Sequence, residues 1–403
     1  MDILMIEIRK ITKNERPALM NLYRYAYTKW SDQEVKNEEI DDIIENETLG
    51  LFEEGRLVSS LRVHEFQQSI RGVLKDCGGV AGVATYPEAR RKGYVRELMQ
   101  EGFKMMHETG QSVSMLDPFK QSYYEKFGYV AANTAYIVEA PLKQLSISDT
   151  TPQNIDWTFE RVRALNAKEE YLKFVREVGP KQYHGYLIFK TFPDAMWRIR
   201  TRESLIVFVK HKGKIQALGR YRIKGERIKS EFRTNMQVID LLWRTREARD
   251  KLFFFFRQHW DQIHSISIHA PFDTKVEHWF KDTRLKIERK TPWMVRIIDA
   301  KNAIQNLPGV GDDNVTLEIT DPNCPWNNGT YSLQSEKGRL HLTKSSGHPE
   351  VKATIQALSA LVYGTQLVEE LEFQEELLVT EELARHKLQR WFPPLPLYNV
   401  VYF

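Results

Sequence analysis

The stretch Val83-Ala84-Thr85-Tyr86-Pro87-Glu88-Ala89-Arg90-Arg91-Lys92-Gly93-Tyr94-Val95-Arg96 gathers residues that can do chemistry on an anion. It reads as a strand, a tight basic turn and the start of an amphipathic helix. A helix start leaves backbone N–H groups unpaired and carries the positive end of the macrodipole. Gly93 lets backbone approach a ligand closely. Arg90, Arg91, Lys92 and Arg96 place positive charge at the same point. Together they suit a pyrophosphate. The strand before the turn, where its edge is free, offers N–H and C=O groups to an extended amide-bearing ligand such as a pantetheine arm. A surface helix with a basic start explains a lone turn of this kind equally well, so the order of the surrounding elements decides.

That order is mixed α/β. Strand patterns cover 3–8, 49–53, 56–69 and 73–86, with Glu54-Gly55 as a hairpin turn. Helical patterns cover 15–30 and 33–46. A long helix runs from about Arg91 to Glu108 and stops at Gly110, with Val95, Leu98, Met99, Gly102 and Met106 on one face. A strand at 112–116, a short helix at 120–126 and a strand at 129–139 close the first segment. A Ser/Thr/Asp-rich linker lies at Leu145 to Asn154. The middle segment shows a helix at 165–178, several strands between 196 and 239, a helix near 244–259 and a strand at 263–268. The last has strand patterns at 294–298, 315–320, 329–334 and 338–343, a helix-like stretch from Glu350 to Leu361 and an acidic helical stretch around 366–388.

Other chemistries are poorly represented. The 403 residues, 42% hydrophobic and 28% charged, describe an ordinary globular chain of two or three domains. No apolar run is long enough for a membrane span, and the N-terminus lacks the basic start of a secretory signal. Neither a membrane nor a nucleic-acid partner is expected from a net charge of +4 with acids and bases mixed. Cys77 and Cys324 form no framework or cluster, which fits a reduced, cytoplasmic setting. No metal site is expected; His264 and His269 fall on opposite strand faces. The Phe253 to Phe256 run reads as helix packing.

Read in order, these elements resemble the GCN5-related N-acetyltransferase (GNAT) family. Its acetyl-CoA motif V-x-V-x-P-x-x-R-x-x-G-x-G/A is matched at Val83, Thr85, Pro87, Arg90 and Gly93, with Val95 departing at the last position. Tyr123-Tyr124-Glu125-Lys126-Phe127-Gly128-Tyr129 resembles the family's second hallmark, a tyrosine before an F-G-Y turn. The Arg90-Arg91-Lys92-Gly93-Tyr94-Val95-Arg96 turn, the length, the Ala357 to Gly364 stretch and the aromatic terminus are similar to the Eis-type (enhanced intracellular survival) branch. The resemblance implies an α/β (α+β) fold in three parts. These are a GNAT domain over 1–148, a degenerate GNAT-like domain over 149–288, and a sterol-carrier-protein-like α+β domain over 289–403.

It also implies a reaction, the attack of an amine on the acetyl-CoA thioester. Val83, Ala84 and Thr85 would hold the pantetheine arm, and Arg90, Arg91, Lys92, Gly93, Tyr94, Val95 and Arg96 the phosphates. A backbone N–H at or near Val83 would meet the oxyanion. By family position Tyr124 would be the general acid, with Tyr123 the alternative. The terminal carboxylate on Phe403 would be the base. A plain α-carboxylate is a weak base, and burial beside aromatic groups would strengthen it. The acceptor would be an aminoglycoside, another polyamine-like molecule or a lysine, and the assembly a homo-oligomer, a hexamer by resemblance. Asp32, Glu34, Glu38, Glu39, Asp41, Asp42, Glu45 and Glu47 would form either an acidic rim for such a cation or a solvated helix face. Tyr23, Tyr25, Tyr27 and Trp30 would line an amine pocket or fill a core. An acyl-CoA sensor or lipid carrier without turnover is the alternative function.

Overall fold

The computed structural model describes residues 5–27, 45–132, 135–147, 156–228, 231–281, 284–289, 293–401 and 403. The first segment runs β1 (Ile6–Lys10), α1 (Arg16–Ala26), β2 (Thr48–Glu53), β3 (Arg56–Ile70), β4 (Val73–Thr85), α2 (Tyr94–Glu108), β5 (Val113–Leu116), α3 (Gln121–Tyr124), β6 (Val130–Ala132) and β7 (Tyr136–Pro141). The second runs β8 (Trp157–Arg163), α4 (Lys168–Gln182), β9 (Leu187–Phe189), α5 (Asp194–Thr201), β10 (Leu205–His211), β11 (Lys214–Ile228), β12 (Glu231–Trp243), α6 (Arg246–Arg257), β13 (Ser265–Ala270) and β14 (Lys286–Arg289). The third runs β15 (Trp293–Ile297), α7 (Ala300–Ile304), β16 (Asp313–Thr320), β17 (Gly329–Glu336), β18 (Arg339–Lys344), β19 (Val351–Thr354), α8 (Ile355–Tyr363), α9 (Val368–Phe373), β20 (Leu377–Val379) and α10 (Glu382–Trp391).

Three sheets form among the described residues. The first has order β1-β2-β3-β4-β5-β15-β6 with β9 added on β3; the second β14-β7-β13-β12-β11-β10-β8; the third β18-β17-β16-β19-β20. Glu54-Gly55 turns the β2–β3 hairpin with both φ angles positive, at 52° and 75°. On α2 the buried face is Tyr94, Leu98, Met99, Gly102, Phe103 and Met106. Val95, expected on that face, is half-buried, and Tyr94 takes the core position instead.

The strands cross the domain limits read from the sequence. The single strand read at 129–139 is two, β6 in the first sheet and β7 in the second. β15, placed in the last domain, closes the first sheet between β5 and β6. Its residues Trp293, Met294, Val295 and Ile297 are all buried, which only a two-sided sheet position satisfies. The helix read at Glu350 to Leu361 is strand β19 followed by α8, where Thr354 caps the helix by accepting from Ala357 N. The acidic stretch at 366–388 breaks into α9, β20 and α10. The helix read at 33–46 lies, up to residue 44, outside the described residues.

One core joins the first and third sheets, with Phe66, Cys77, Met115 and Trp293 packed together with Leu317, Leu333, Leu361 and Tyr363. The terminal segment leaves α10 and runs back across the molecule. Leu395 N bonds Gly364 O (3.0 Å), Tyr398 N bonds His184 O (2.7 Å), and the Tyr398 hydroxyl bonds His269 O (3.1 Å). Leu397, Tyr398 and Val400 are buried.

Candidate active site

The site forms where β4 loses a neighbour. β4 pairs with β5 in parallel only from Cys77 to Val80, opposite Val113 to Leu116. From Ala81 to Thr85 that edge of β4 has no strand beside it among the described residues. On its other side β4 pairs with β3, but the register slips: Arg62 faces Ala81 and Ser60 faces Ala84. Gly82 and Val83 therefore bulge, with Gly82 at φ 58°. The bulge is fastened from behind. Ser60 Oγ donates to Gly82 O (3.0 Å) and Ser59 Oγ to Ala84 O (3.0 Å). Val83, Ala84 and Thr85 thus lie together on a free, bulged edge.

The basic turn follows directly. Pro87–Ala89 is a short 3₁₀ turn, Arg91 has φ 65°, and Gly93 caps α2 at φ 91°. A side chain at such a φ is strained, so the glycine sets the point where the backbone enters the helix. Arg96 N bonds Gly93 O (2.8 Å), so the N–H groups of Tyr94 and Val95 ahead of it lack intrahelical acceptors. Arg90, Arg91, Lys92 and Arg96 are exposed around this point. Two of the four have internal partners. Arg90 Nε bonds Thr85 O (3.2 Å), and Lys92 Nζ pairs with Glu53 Oε1 (2.6 Å). The Tyr94 hydroxyl bonds the same Glu53 oxygen (2.7 Å), so its ring points into the fold while its backbone faces the turn. The geometry fits a pyrophosphate at the helix start, with Arg91 and Arg96 as the charges that have no partner among the described residues.

Tyr124 ends α3 across the gap. Its ring is buried against Tyr123 (5.3 Å), Phe119 (5.8 Å) and Tyr129 (6.2 Å between centroids). Its hydroxyl makes no hydrogen bond among the described residues. Burial, then the neighbouring Tyr123 and Asp117, raises its pKa well above the ordinary phenol value, so it is a held proton at neutral pH. The Tyr27 hydroxyl bonds Val83 O (3.3 Å) and is itself raised by burial, by Tyr23 and by Tyr124. Tyr124 belongs to a buried apolar cluster against which Val83 packs. Tyr123 is half-buried and near Arg96, which opposes the upward push of burial on its hydroxyl.

Arg296 holds the turn after Tyr124 in place, and nothing in its local sequence signals this. It is fully buried on β15, pairs with Asp321 (2.7 Å), lies 4.3 Å over the Phe103 ring, and donates to the Phe127 carbonyl. Its partner lies 25 residues away.

Phe403 reaches the first sheet. Its ring packs on Phe66 (4.7 Å), Trp293 (5.2 Å) and His64 (5.7 Å). Of the acids expected as a rim, Asp32, Glu34, Glu38, Glu39, Asp41 and Asp42 lie outside the described residues, as does Trp30. Glu45 is paired with Arg16 (2.8 Å) and Glu47 with His64 (3.0 Å) and Arg62 (3.5 Å). Tyr23 packs beside the core of α1, and Tyr25 and Tyr27 are partly exposed. Phe253 and Phe256 are buried in the second core. His264 is tied to Thr234 (3.0 Å). Among the described residues no group of three or more His, Cys, Asp and Glu is placed to hold a metal, and no helix is long and apolar enough to cross a membrane.

The acetyltransferase (GNAT) domain matches residues 7–132, a second acetyltransferase (GNAT) domain matches 192–297, and a sterol carrier protein domain matches 300–398. The chain belongs to the GNAT acetyltransferases. It is an acetyl-CoA-dependent enzyme with a C-terminal sterol-carrier-like domain. It is 21% identical over 310 residues to an uncharacterized N-acetyltransferase of Streptomyces coelicolor, covering 74% of each chain. In fold it is similar to a GCN5-related N-acetyltransferase of Anabaena variabilis, with TM-score 0.86, 20% identity, and 99% and 100% of the two chains covered. It is likewise similar to Eis1 of Mycobacterium abscessus, with TM-score 0.80, 16% identity, and 98% and 100% covered. Its three-part fold is thus similar to that of Eis1.

Proposed function

We propose that this GNAT enzyme moves the acetyl group from acetyl-CoA to a primary amine by direct attack. The acceptor is an aminoglycoside, another polyamine-like molecule or a lysine. The observation that carries this is the Tyr124 ring, its hydroxyl without a hydrogen bond among the described residues, in the cluster against which Val83 of the bulged edge packs, with the basic helix start following that edge. The edge at Val83 to Thr85 binds the pantetheine arm, and Arg91, Arg96 and the N–H groups of Tyr94 and Val95 bind the phosphates. An N–H at the bulge meets the oxyanion. Tyr124 gives its proton to the departing thiolate. The carboxylate of Phe403 takes the proton from the amine, and the seat of its ring among Phe66, His64 and Trp293 supports that role. A cytoplasmic, hexameric enzyme is the accompanying reading.

The test is thiol release from acetyl-CoA by protein with a native C-terminus, against aminoglycosides, polyamines and lysine peptides. Release with one class identifies the acceptor. Residues added after Phe403 convert the carboxylate to an amide, and the expected loss is about 10²-fold or more in kcat. Full activity with the extension removes Phe403 from the mechanism. Tight acetyl-CoA binding with no release for any amine favours a sensor.

A further inference from the structure

The middle segment, whose residues 192–297 match a second acetyltransferase domain, repeats the backbone geometry of the candidate active site. β12 pairs with β13 in parallel only from Asn235 to Val238, opposite Ser265 to Ile268, much as β4 pairs with β5. On its other side β12 slips against β11: Tyr221 faces Val238 and Arg220 faces Asp240, so Ile239 bulges. From Ile239 to Trp243 the edge that faced β13 has no strand beside it among the described residues. After Arg244 and Thr245 the chain enters α6, as it enters α2 after the basic turn. Parallel pairing, bulge, free edge, turn and helix thus recur in the same order.

The two clefts differ in what fills them. At the start of α6, Thr245 Oγ1 accepts from Ala248 N (3.2 Å), whereas Gly93 brings no side chain to the start of α2. The Arg244 guanidinium is held by two bonds to Glu177 (2.6 and 2.7 Å). Along the edge, Trp243 N donates to Gln182 Oε1 (3.1 Å) and Leu241 O accepts from the Tyr183 hydroxyl (3.1 Å). Gln182 Nε2 in turn donates to that hydroxyl (2.8 Å), which closes the chain of bonds. An N–H and a C=O two residues apart on one edge are the groups an extended amide-bearing ligand would take. Here two side chains at the end of α4 take them. The Tyr398 ring lies on the Tyr183 ring, with centroids 4.3 Å apart. Its hydroxyl donates to His269 O (3.1 Å), one residue past the point where β13 leaves β12. Tyr183 is therefore tied to one strand and Tyr398 to the other, and their rings meet between them. Tyr398 is 2% exposed.

We propose that this second cleft is an internal docking site whose occupant is the chain's own terminal segment, and that Tyr398 is the residue that positions that segment for transfer. The cleft then takes no second acyl-CoA. Its backbone groups are spent on Gln182 and Tyr183, and the space between its strands on Tyr398. The effect on rate rests on the transferase reading above; the docking does not. Beyond Tyr398 the Asn399 side chain bonds both N and O of Val401 (3.1 and 3.0 Å), Val400 is buried, and the Phe403 ring reaches Phe66 and Trp293 of the first sheet. Tyr398 acts through the residues that follow it, so it is a positioning residue.

The test compares full-length wild type, Tyr398→Phe and Tyr398→Ala, all with native C-termini. Calorimetry on the wild type is expected to count a single acetyl-CoA per chain; a second equivalent bound would mean an open cleft and overturn the docking. Carboxypeptidase should trim the last residues of Tyr398→Ala at least about tenfold faster than those of the wild type. With an amine that the wild type accepts, Tyr398→Ala should lose about tenfold or more in kcat, with the acetyl-CoA dissociation constant within about twofold. Tyr398→Phe keeps the ring and should restore most of the rate. A ring that only packs predicts lower stability with wild-type kcat and unchanged trimming, and that result overturns the positioning role. Should Tyr398→Ala not fold, hydrogen exchange of the wild type decides: the amides of Tyr398 and Trp243 should be protected like those within β12, and fast exchange at either overturns the docking. A wild type that binds acetyl-CoA but releases no thiol with any amine sinks the transferase reading alone, since the acetyl-CoA count and the trimming still judge the docking.

Discussion

Tyr124→Phe removes one hydroxyl and leaves the ring. The ring contacts with Tyr123, Phe119 and Tyr129 survive. The hydroxyl has no hydrogen-bond partner among the described residues, so its loss orphans nothing, and stability is expected to change by less than about 1 kcal/mol. The same hydroxyl stays protonated because burial, Tyr123 and Asp117 all oppose its ionisation. A thiol's pKa near 8.5 lies below it, so the proton transfer costs energy unless it occurs as the C–S bond breaks. Loss of a general acid is worth about 10²–10⁴ in rate, or about 3–5 kcal/mol of barrier. The assay is thiol release under saturating acetyl-CoA, with the acetyl-CoA dissociation constant from calorimetry and thermal unfolding alongside. The expected result is a kcat at least about 10²-fold down, with binding and melting temperature unchanged. Tyr123→Phe should do much less, since that ring is half-buried and closer to Arg96. A Tyr124→Phe kcat within about threefold of wild type, or the large loss falling on Tyr123 instead, would refute the assignment.

Arg91→Glu places an acid at an exposed, uncommitted corner of the basic turn; acetyl-CoA affinity should fall about ten- to a hundredfold, and unchanged calorimetric binding would show the phosphates sit elsewhere. Arg296→Met leaves Asp321 buried without its cation, although Asn327 Nδ2 still donates to it (2.9 Å); denaturant titration should show a loss of about 3–5 kcal/mol, and a shift under 1 kcal/mol would mean the pair contributes little. His64 and His184 are each pushed down to about 4, by burial first, from an unfolded value near 6.5. Below pH 6.5 the unfolded chain therefore binds protons that the folded chain refuses. Stability should be full above about pH 6.5 and decline toward pH 4, by up to about 3 kcal/mol per histidine; urea midpoints that stay flat from pH 7 to 5 would exclude this.

The local chemistry was legible in the sequence because it is local. Proline, glycine and clustered arginines within 14 residues give the strand, turn and helix start around Gly93 whatever the rest of the chain does. The Glu54-Gly55 hairpin and the buried face of α2 follow from turn chemistry and period in the same way. Strand partners were not legible. β15 carries a continuous buried run that fits any central position, and only the gap between β5 and β6 fixes it there. The break between β6 and β7 is likewise set by two sheets competing for one stretch of chain. Arg296 and His64 read as an arginine and a histidine in ordinary strands. Their partners are Asp321 and Glu47, residues that only the folded chain brings near.

The terminus depends on all three parts of the chain at once. At the tip of the β3–β4 hairpin, Arg71 donates to the carbonyls of Leu361 (2.9 Å), Val362 (2.8 Å) and Pro393 (2.9 Å), so the first sheet grips both the end of α8 and the start of the terminal segment. His184 of the middle segment accepts from Arg71 N (3.0 Å) through Nδ1, which leaves Nε2 as the donor to Tyr363 O (2.9 Å). Its backbone carbonyl then receives Tyr398 N (2.7 Å), five residues before the chain ends. Each bond is modest alone. Together they hold the terminal segment up to Tyr398, and Phe66, Trp293 and His64 receive the Phe403 ring. On the proposed mechanism, the sterol-carrier-like domain contributes by helping to hold the segment that carries Phe403. A substitution at Arg71, far from Tyr124 in sequence, should accordingly lower kcat in the same manner as an extension of the C-terminus, with acetyl-CoA affinity preserved.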